Sequence, residues 1–190
     1  MSKKVVPGLL ALCVFFVVPA ALAATPSFNY FQAGAQRSES SAGNNWGWGA
    51  QASFNPIGGL IFSGAYNRTN YVSGIQSDYK TYRVDAGYEV DFLDSLAAYG
   101  EAGVSTSSAA GQRNSGAHVE VGIRANVLSV LELRGAVGHY NRDGGFNEYS
   151  AGLLFHFLPF TALSVAYTKD QATDSSGSIR RWQAGLRWSF

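Results

Sequence analysis

Past residue 23 the chain contains neither cysteine nor methionine, since Cys13 and the initiator are the single copies of each. Disulfides, thiol nucleophiles and thiolate metal sites are thereby excluded from that part, and stability must come from backbone hydrogen bonds and packing. The same stretch has no apolar run of about 20 residues, the length a helix needs to cross a bilayer. Charge is scarce, at 14% of residues, and nearly balanced. A nucleic-acid binder would show a basic excess, which is missing. Against these shortages stand 22 glycines and an aromatic content of 14%. A soluble helical domain is not built from such a mixture.

Residues 1–23 have the three parts of a secretory signal: Lys3 and Lys4, an apolar run from Leu9 to Val18, and the small-x-small site Ala21-Leu22-Ala23. Cys13 lies inside the apolar run after Leu12, which does not fit a lipoprotein signal. Two domains of unequal kind follow: a cleaved signal peptide over 1–23 and a working part over 24–190. Removing Lys3 and Lys4 turns 14 basic against 13 acidic residues into 12 against 13, a net charge of −1.

The working part alternates apolar and polar residues with period two, in segments of about ten residues. That is the strand signature, at a length that suits a tilted crossing of a bilayer. The segments are 27–38, 45–55, 59–70, 79–91, 95–106, 115–127, 129–142, 146–157, 160–170 and 180–190. Tight connections at Asn55-Pro56-Ile57-Gly58, Phe92-Leu93-Asp94, Leu128 and Leu158-Pro159 alternate with longer polar ones around 39–44, 71–78, 107–114, 143–145 and 171–179. Short turns on one side and long loops on the other are the habit of outer-membrane barrels, with the short ones in the periplasm. The expected fold is all-β, a closed antiparallel up-and-down transmembrane barrel of about ten strands, with eight as the alternative. Its expected location is the cell outer membrane.

Parity assigns the faces. Trp182, Ala184, Leu186, Trp188 and Phe190 alternate with Arg181, Gln183, Gly185, Arg187 and Ser189; Val119, Val121, Ile123, Ala125 and Val127 alternate with His118, Glu120, Gly122, Arg124 and Asn126. The apolar sets are expected to face lipid. Inward charge would be ruinous in a soluble sandwich core unless paired, but a polar barrel interior accepts it. Aromatics near segment ends, such as Trp46, Trp48, Phe54, Phe62, Phe155, Phe157, Trp182 and Trp188, are expected to form interfacial girdles.

The terminal QAGLRWSF, residues 183–190, resembles the end of outer-membrane barrel proteins generally. The resemblance implies that Leu186, Trp188 and Phe190 are read by the barrel-assembly machinery, after escort by periplasmic chaperones, and that lipopolysaccharide and other outer-membrane lipid surround the product. An apolar-faced edge strand is able to pair with another edge, which supplies a physical reason. More narrowly, SFNYFQAGAQ at 27–36, WGWGAQASF at 46–54, YRVDAGYEV at 82–90 and HVEVGIRAN at 118–126 resemble a family of small outer-membrane barrels that includes a protein first named as an activator of rice immunity.

The expected lumen carries Arg83, Asp85, Glu89, Glu101, Glu120, Arg124, Glu132, Arg134 and Arg187. Eight-stranded barrels are just filled by side chains, while open channels appear near sixteen strands. A sealed, salt-bridged interior with a structural or surface-interaction role is the expectation. A narrow path for small solutes is the alternative, because inward glycines such as Gly87, Gly103, Gly122, Gly152 and Gly185 leave room. An outer-rim hydrolase or acyltransferase would need a histidine with an acidic partner, and His139 close to Asp143 is the best-placed candidate. No cofactor or metal signature is present, three scattered histidines being far from a ligand set. The loops Ser38 to Asn45, Tyr71 to Asp78 and Asp170 to Ser178 suit either a binding surface or plain hydrophilic caps.

Overall fold

The computed structural model describes residues 26–40, 43–70, 78–173 and 177–190; the expected signal peptide lies outside them. Ten strands run in chain order: β1 Tyr30–Ser40, β2 Gly43–Ile57, β3 Leu60–Asn70, β4 Tyr79–Leu93, β5 Leu96–Ala109, β6 Gln112–Leu128, β7 Leu131–Tyr140, β8 Phe146–Leu158, β9 Thr161–Ala172 and β10 Ser178–Ser189. Each pairs antiparallel with its sequence neighbours, and β1 pairs with β10. The sheet is a closed up-and-down barrel of ten strands, not eight. Closure leaves no unpaired sheet edge.

Burial is inside out relative to a soluble protein. Val84 is 70% exposed and Val121 64%, whereas their neighbours Asp85 and Glu120 are 3% and 8% exposed. The same parity holds along β10, where Trp182, Leu186 and Trp188 are outward and exposed and Arg187 is buried. Apolar side chains therefore face out around the barrel and polar ones fill it.

At the end that carries both termini, the near end, the turns are Gly58-Gly59, 94–95, 129–130 and 159–160, each of two residues. The strand before each turn has a register shift, at 54/57, 91/93, 126/128 and 156/158. The second turn residue then accepts a bond from the next strand but one: Glu89 N to Gly59 O at 2.7 Å, Asn126 N to Ser95 O at 2.8 Å, His156 N to Val130 O at 2.8 Å and Ser189 N to Phe160 O at 2.9 Å. These bonds knit the near rim.

The far end departs most from the sequence reading in the β5–β6 hairpin. Residues 107–114, expected as a loop, continue β5 and β6 through the pairs Ser107↔Asn114, Ser108↔Arg113 and Ala109↔Gln112. The turn is Ala110-Gly111, with φ of 49° and 80°. Two consecutive left-handed residues give the tight hairpin turn whose twist matches paired strands. Serine and glycine made the stretch look like a loop, but pairing is a property of two strands together. Likewise 39–44 is shorter than expected, because β1 reaches Ser40 and β2 begins at Gly43.

Residues 27–29 depart as well. They do not join β1; Pro26 and Phe28 are buried at the near mouth. Asn29 ties the segment to the rim, accepting Asn55 N on its side-chain oxygen at 2.7 Å and Phe190 N on its carbonyl at 3.1 Å.

Candidate functional site

The lumen is crossed by three tiers of charged side chains. In the near tier, Arg124 Nε and Nη2 donate to Glu132 Oε1 and Oε2 at 2.7 and 3.0 Å. This two-bond fork is the geometry that suits guanidinium to carboxylate. Arg124 Nη1 donates to the Ser27 carbonyl at 2.7 Å, and its guanidinium lies 4.4 Å from the Phe28 ring centre. Phe28 packs on Ile61, Ala97 and Tyr99. Arg187, 1% exposed, donates from Nε to Gln32 Oε1 at 3.0 Å, sits 3.8 Å from the Tyr30 ring centre, and brings Nη1 to 3.8 Å from Glu132. Glu89 accepts a bond from the Asn55 amide at the rim.

In the middle tier Arg83 meets Asp85 at 2.9 Å and Glu120 at 3.2 Å, and donates to Tyr140 OH at 2.9 Å. Tyr99 OH donates to the other Glu120 oxygen at 2.8 Å. His118 Nδ1 stands 2.8 Å from Asp85, and its ring stacks on Tyr140 at 4.2 Å. Glu101 is buried directly opposite Glu120 on the neighbouring strand.

The far tier contains residues outside the sequence-derived set. Arg181 donates to Glu148 at 2.7 Å and to Asp170 at 2.9 Å. Arg142, from the β7–β8 loop, turns inward and is buried; it donates to Ser105 Oγ at 3.0 Å and Tyr79 OH at 2.9 Å, and pairs with Asp143. Asp143 also accepts from Ser107 at 2.8 Å and Asn114 at 2.9 Å. Glu148, Asp170 and Arg181 have the inward parity of their strands, so alternation could have found them. Arg142 has no strand parity and left no signal.

All nine sequence-derived lumen residues have inward parity on β4 to β7 and β10. Eight take part in the tiers as described. Arg134 lies over Gly152, where a Cβ would stand 2.7 Å from its Nε. The glycines do not leave the free space expected of them. At Gly87, Gly103 and Gly185 a Cβ would fall within 2.2 Å of a neighbouring carbonyl oxygen, while the space at Gly122 is taken by the Tyr99 ring. A cavity of about 150 Å³ lies in the lumen beside Gln51, Asn67, Ser150, Thr168 and Gln183, and residues of all three tiers, from Phe28 to Arg142, also line it. Pockets for organic ligands run to roughly 300–1,000 Å³.

His139 is not joined to Asp143. It faces outward, with Nδ1 2.9 Å from Asn147 Oδ1, whereas Asp143 is turned toward Arg142 and Ser107. Among the described residues no three acidic, histidine or cysteine groups are placed to hold a metal ion. Leu186 and Trp188 stand on the outward face of β10, and Trp188 stacks on Phe31 of β1 at 6.0 Å across the closing seam. Phe190 follows β10 and is exposed.

A sequence profile described as outer membrane protein beta-barrel domain matches residues 8–190. No curated protein sequence matches the chain. Among solved structures the barrel is similar to the NanC porin, at 12% identity over 85% of this chain and 100% of that one, with a TM-score of 0.52. It is similar to the beta domain of the Bordetella autotransporter BrkA, at 13% identity over 85% and 99%, with a TM-score of 0.52. Neisserial surface protein A is 20% identical over 86% and 98%, with a TM-score of 0.42.

Proposed function

The chain belongs to the outer membrane protein beta-barrel domain family, and from that premise we propose an integral protein of the cell outer membrane, non-enzymatic, with a structural or surface-interaction role and a sealed lumen. One observation carries the sealing: guanidinium–carboxylate pairs cross the interior at three levels, with Phe28 filling the near mouth and Arg142 folded into the far one. Few other solutions bury so many ions, because an unpaired charge is costly to bury and a fork of two charge-assisted bonds offsets that cost. The near end, with its two-residue turns, faces the periplasm in this reading. Cleavage after Ala23 delivers the chain there, periplasmic chaperones hold it, and Leu186, Trp188 and Phe190 present it to the barrel-assembly machinery. Within the family, the motifs quoted above support a likeness to the small barrels that include a protein first named as an activator of rice immunity.

Conductance in planar bilayers tests the sealing. The expected record has no steps above background in salt. Regular unitary steps would instead favour a narrow channel for small solutes, the reading to which the polar cavity beside Gln51 and Gln183 lends itself.

A further inference from the structure

The twelve Lys and Arg residues of the described segments divide evenly. Arg83, Arg124, Arg134, Arg142, Arg181 and Arg187 turn inward; Arg37, Arg68, Lys80, Arg113, Lys169 and Arg180 have outward parity. All six outward cations lie in the far halves of their strands, and the outward face of the near half carries none. Five of them stand on β9, β10, β1, β3 and β4, which are contiguous around the barrel apart from β2. Across the strands, Arg68 lies directly opposite Lys80, and Lys169 directly opposite Arg180.

Directly opposed like charges destabilise a sheet. Two such pairs on one arc call for a compensating anion. Outward carboxylates supply part of it: Glu39 is 3.5 Å from Arg37, and Asp78 pairs with Arg68. Among the described residues Lys80, Lys169 and Arg180 have no such pairing. Just below them lie outward aromatics, with Trp48, Tyr66 and Tyr82 in ring contact and Tyr167 against Trp182. Aromatics of this kind mark the level where hydrocarbon meets headgroups. The cations therefore stand at headgroup height in one leaflet only.

We infer that this arc is a docking surface for a phosphorylated glycolipid of the outer leaflet, the lipid A part of lipopolysaccharide, whose phosphates sit between the opposed cations while its acyl chains lie along the aromatic and aliphatic face. Charge complementarity and one-sidedness select this occupant, because a basic patch reads anionic headgroups at short range. The inference rests on the outer-membrane reading.

The test uses the full mature chain refolded in lipid-free detergent. Folded fraction is read from the difference in gel mobility between heated and unheated samples, and a temperature ramp gives a midpoint. The probes are bis-phosphorylated lipid A, phosphate-free lipid A and inorganic phosphate. For the wild type, bis-phosphorylated lipid A is expected to raise the midpoint and the other two to leave it in place. For Lys80→Ser/Lys169→Ser/Arg180→Ser the shift is expected to vanish, with lipid A affinity down at least about tenfold, since each cation near an anionic lipid surface contributes roughly fivefold. In lipid-free detergent the same variant is expected to be as stable as the wild type or more so. Equal shifts with phosphate-free lipid A, a shift with inorganic phosphate alone, or an undiminished response of the triple variant each overturn the docking surface. Should the variant not fold, the three probes on the wild type decide the matter. Absence of any heat-dependent mobility in the wild type would instead remove the barrel reading itself.

Discussion

Gly34 and Gly185 face each other across the seam between β1 and β10, where a Cβ on Gly34 would lie 2.3 Å from the Ala184 carbonyl oxygen and one on Gly185 2.2 Å from that of Ala33. The last strand of the chain thus meets the first through two residues with no side chain. Such glycines permit the sharp inward coiling that a small barrel needs.

Gly185→Val should accordingly cost about 3 kcal/mol or more, as expected where a side chain is forced against backbone. Gly100→Val, where nothing lies closer than 3.9 Å, should fold normally. Folded fraction by gel mobility compares the two, and equal folding would contradict the close approach.

Glu132 is the anion of the near tier, forked by Arg124 and approached by Arg187 and His156. Glu132→Ala leaves buried guanidinium without its partner, a change worth about 3–5 kcal/mol. Urea unfolding in lipid vesicles, followed by tryptophan fluorescence, should show the loss; a change under about 1 kcal/mol would mean that water inside the lumen replaces the carboxylate.

On the outside the sign of tolerance reverses. Val121→Arg places a cation on the lipid face and should cost about 2–4 kcal/mol if it sits near mid-bilayer, whereas Gln183→Ser, facing the cavity, should cost far less. Vesicle refolding yields separate these outcomes, and matching losses would undo the parity.

Deletion of Phe190 or a Trp188→Asp substitution is expected to lower the amount of assembled protein in cells, because both remove apolar surface from the outward side of the terminal strand. Quantifying heat-modifiable protein in membrane fractions tests this, and unchanged levels would remove the assembly role of that strand.

In the sealed-lumen reading the mouths are closed by side chains, Phe28 at the near one and Arg142 at the far one. Phe28→Ser combined with Arg142→Ser should therefore produce conductance steps in planar bilayers where the parent gives none. If the double variant stays silent, the middle tier of Arg83, Glu120 and Tyr140 alone blocks the path.

Much of this was legible in the sequence because a strand repeats every two residues and a bilayer imposes one length. Ten segments, their faces and the inward position of residues such as Arg83 and Glu120 follow from that local rule. Which charges meet does not. The fork between Arg124 and Glu132 joins β6 to β7, and Arg181 finds Glu148 on a strand two places away; both depend on register around the closed sheet. Arg142 and Phe28 lie outside any strand, so alternation is silent about them. The β5–β6 extension was hidden by its serines, whose hydroxyls look like loop chemistry until Ser107 is seen bonding Asp143.

The division of cations has a chemical corollary. Every inward cation is an arginine, and the two lysines of the described residues, Lys80 and Lys169, both stand on the outward far rim. The guanidinium stays charged at any physiological pH and is a poor nucleophile, whereas an amine is readily acylated. Among the described residues an amine-directed reagent thus finds its lysine targets on one rim of one face, so labelling read at Lys80 and Lys169 reports which way round the protein sits without any engineered tag.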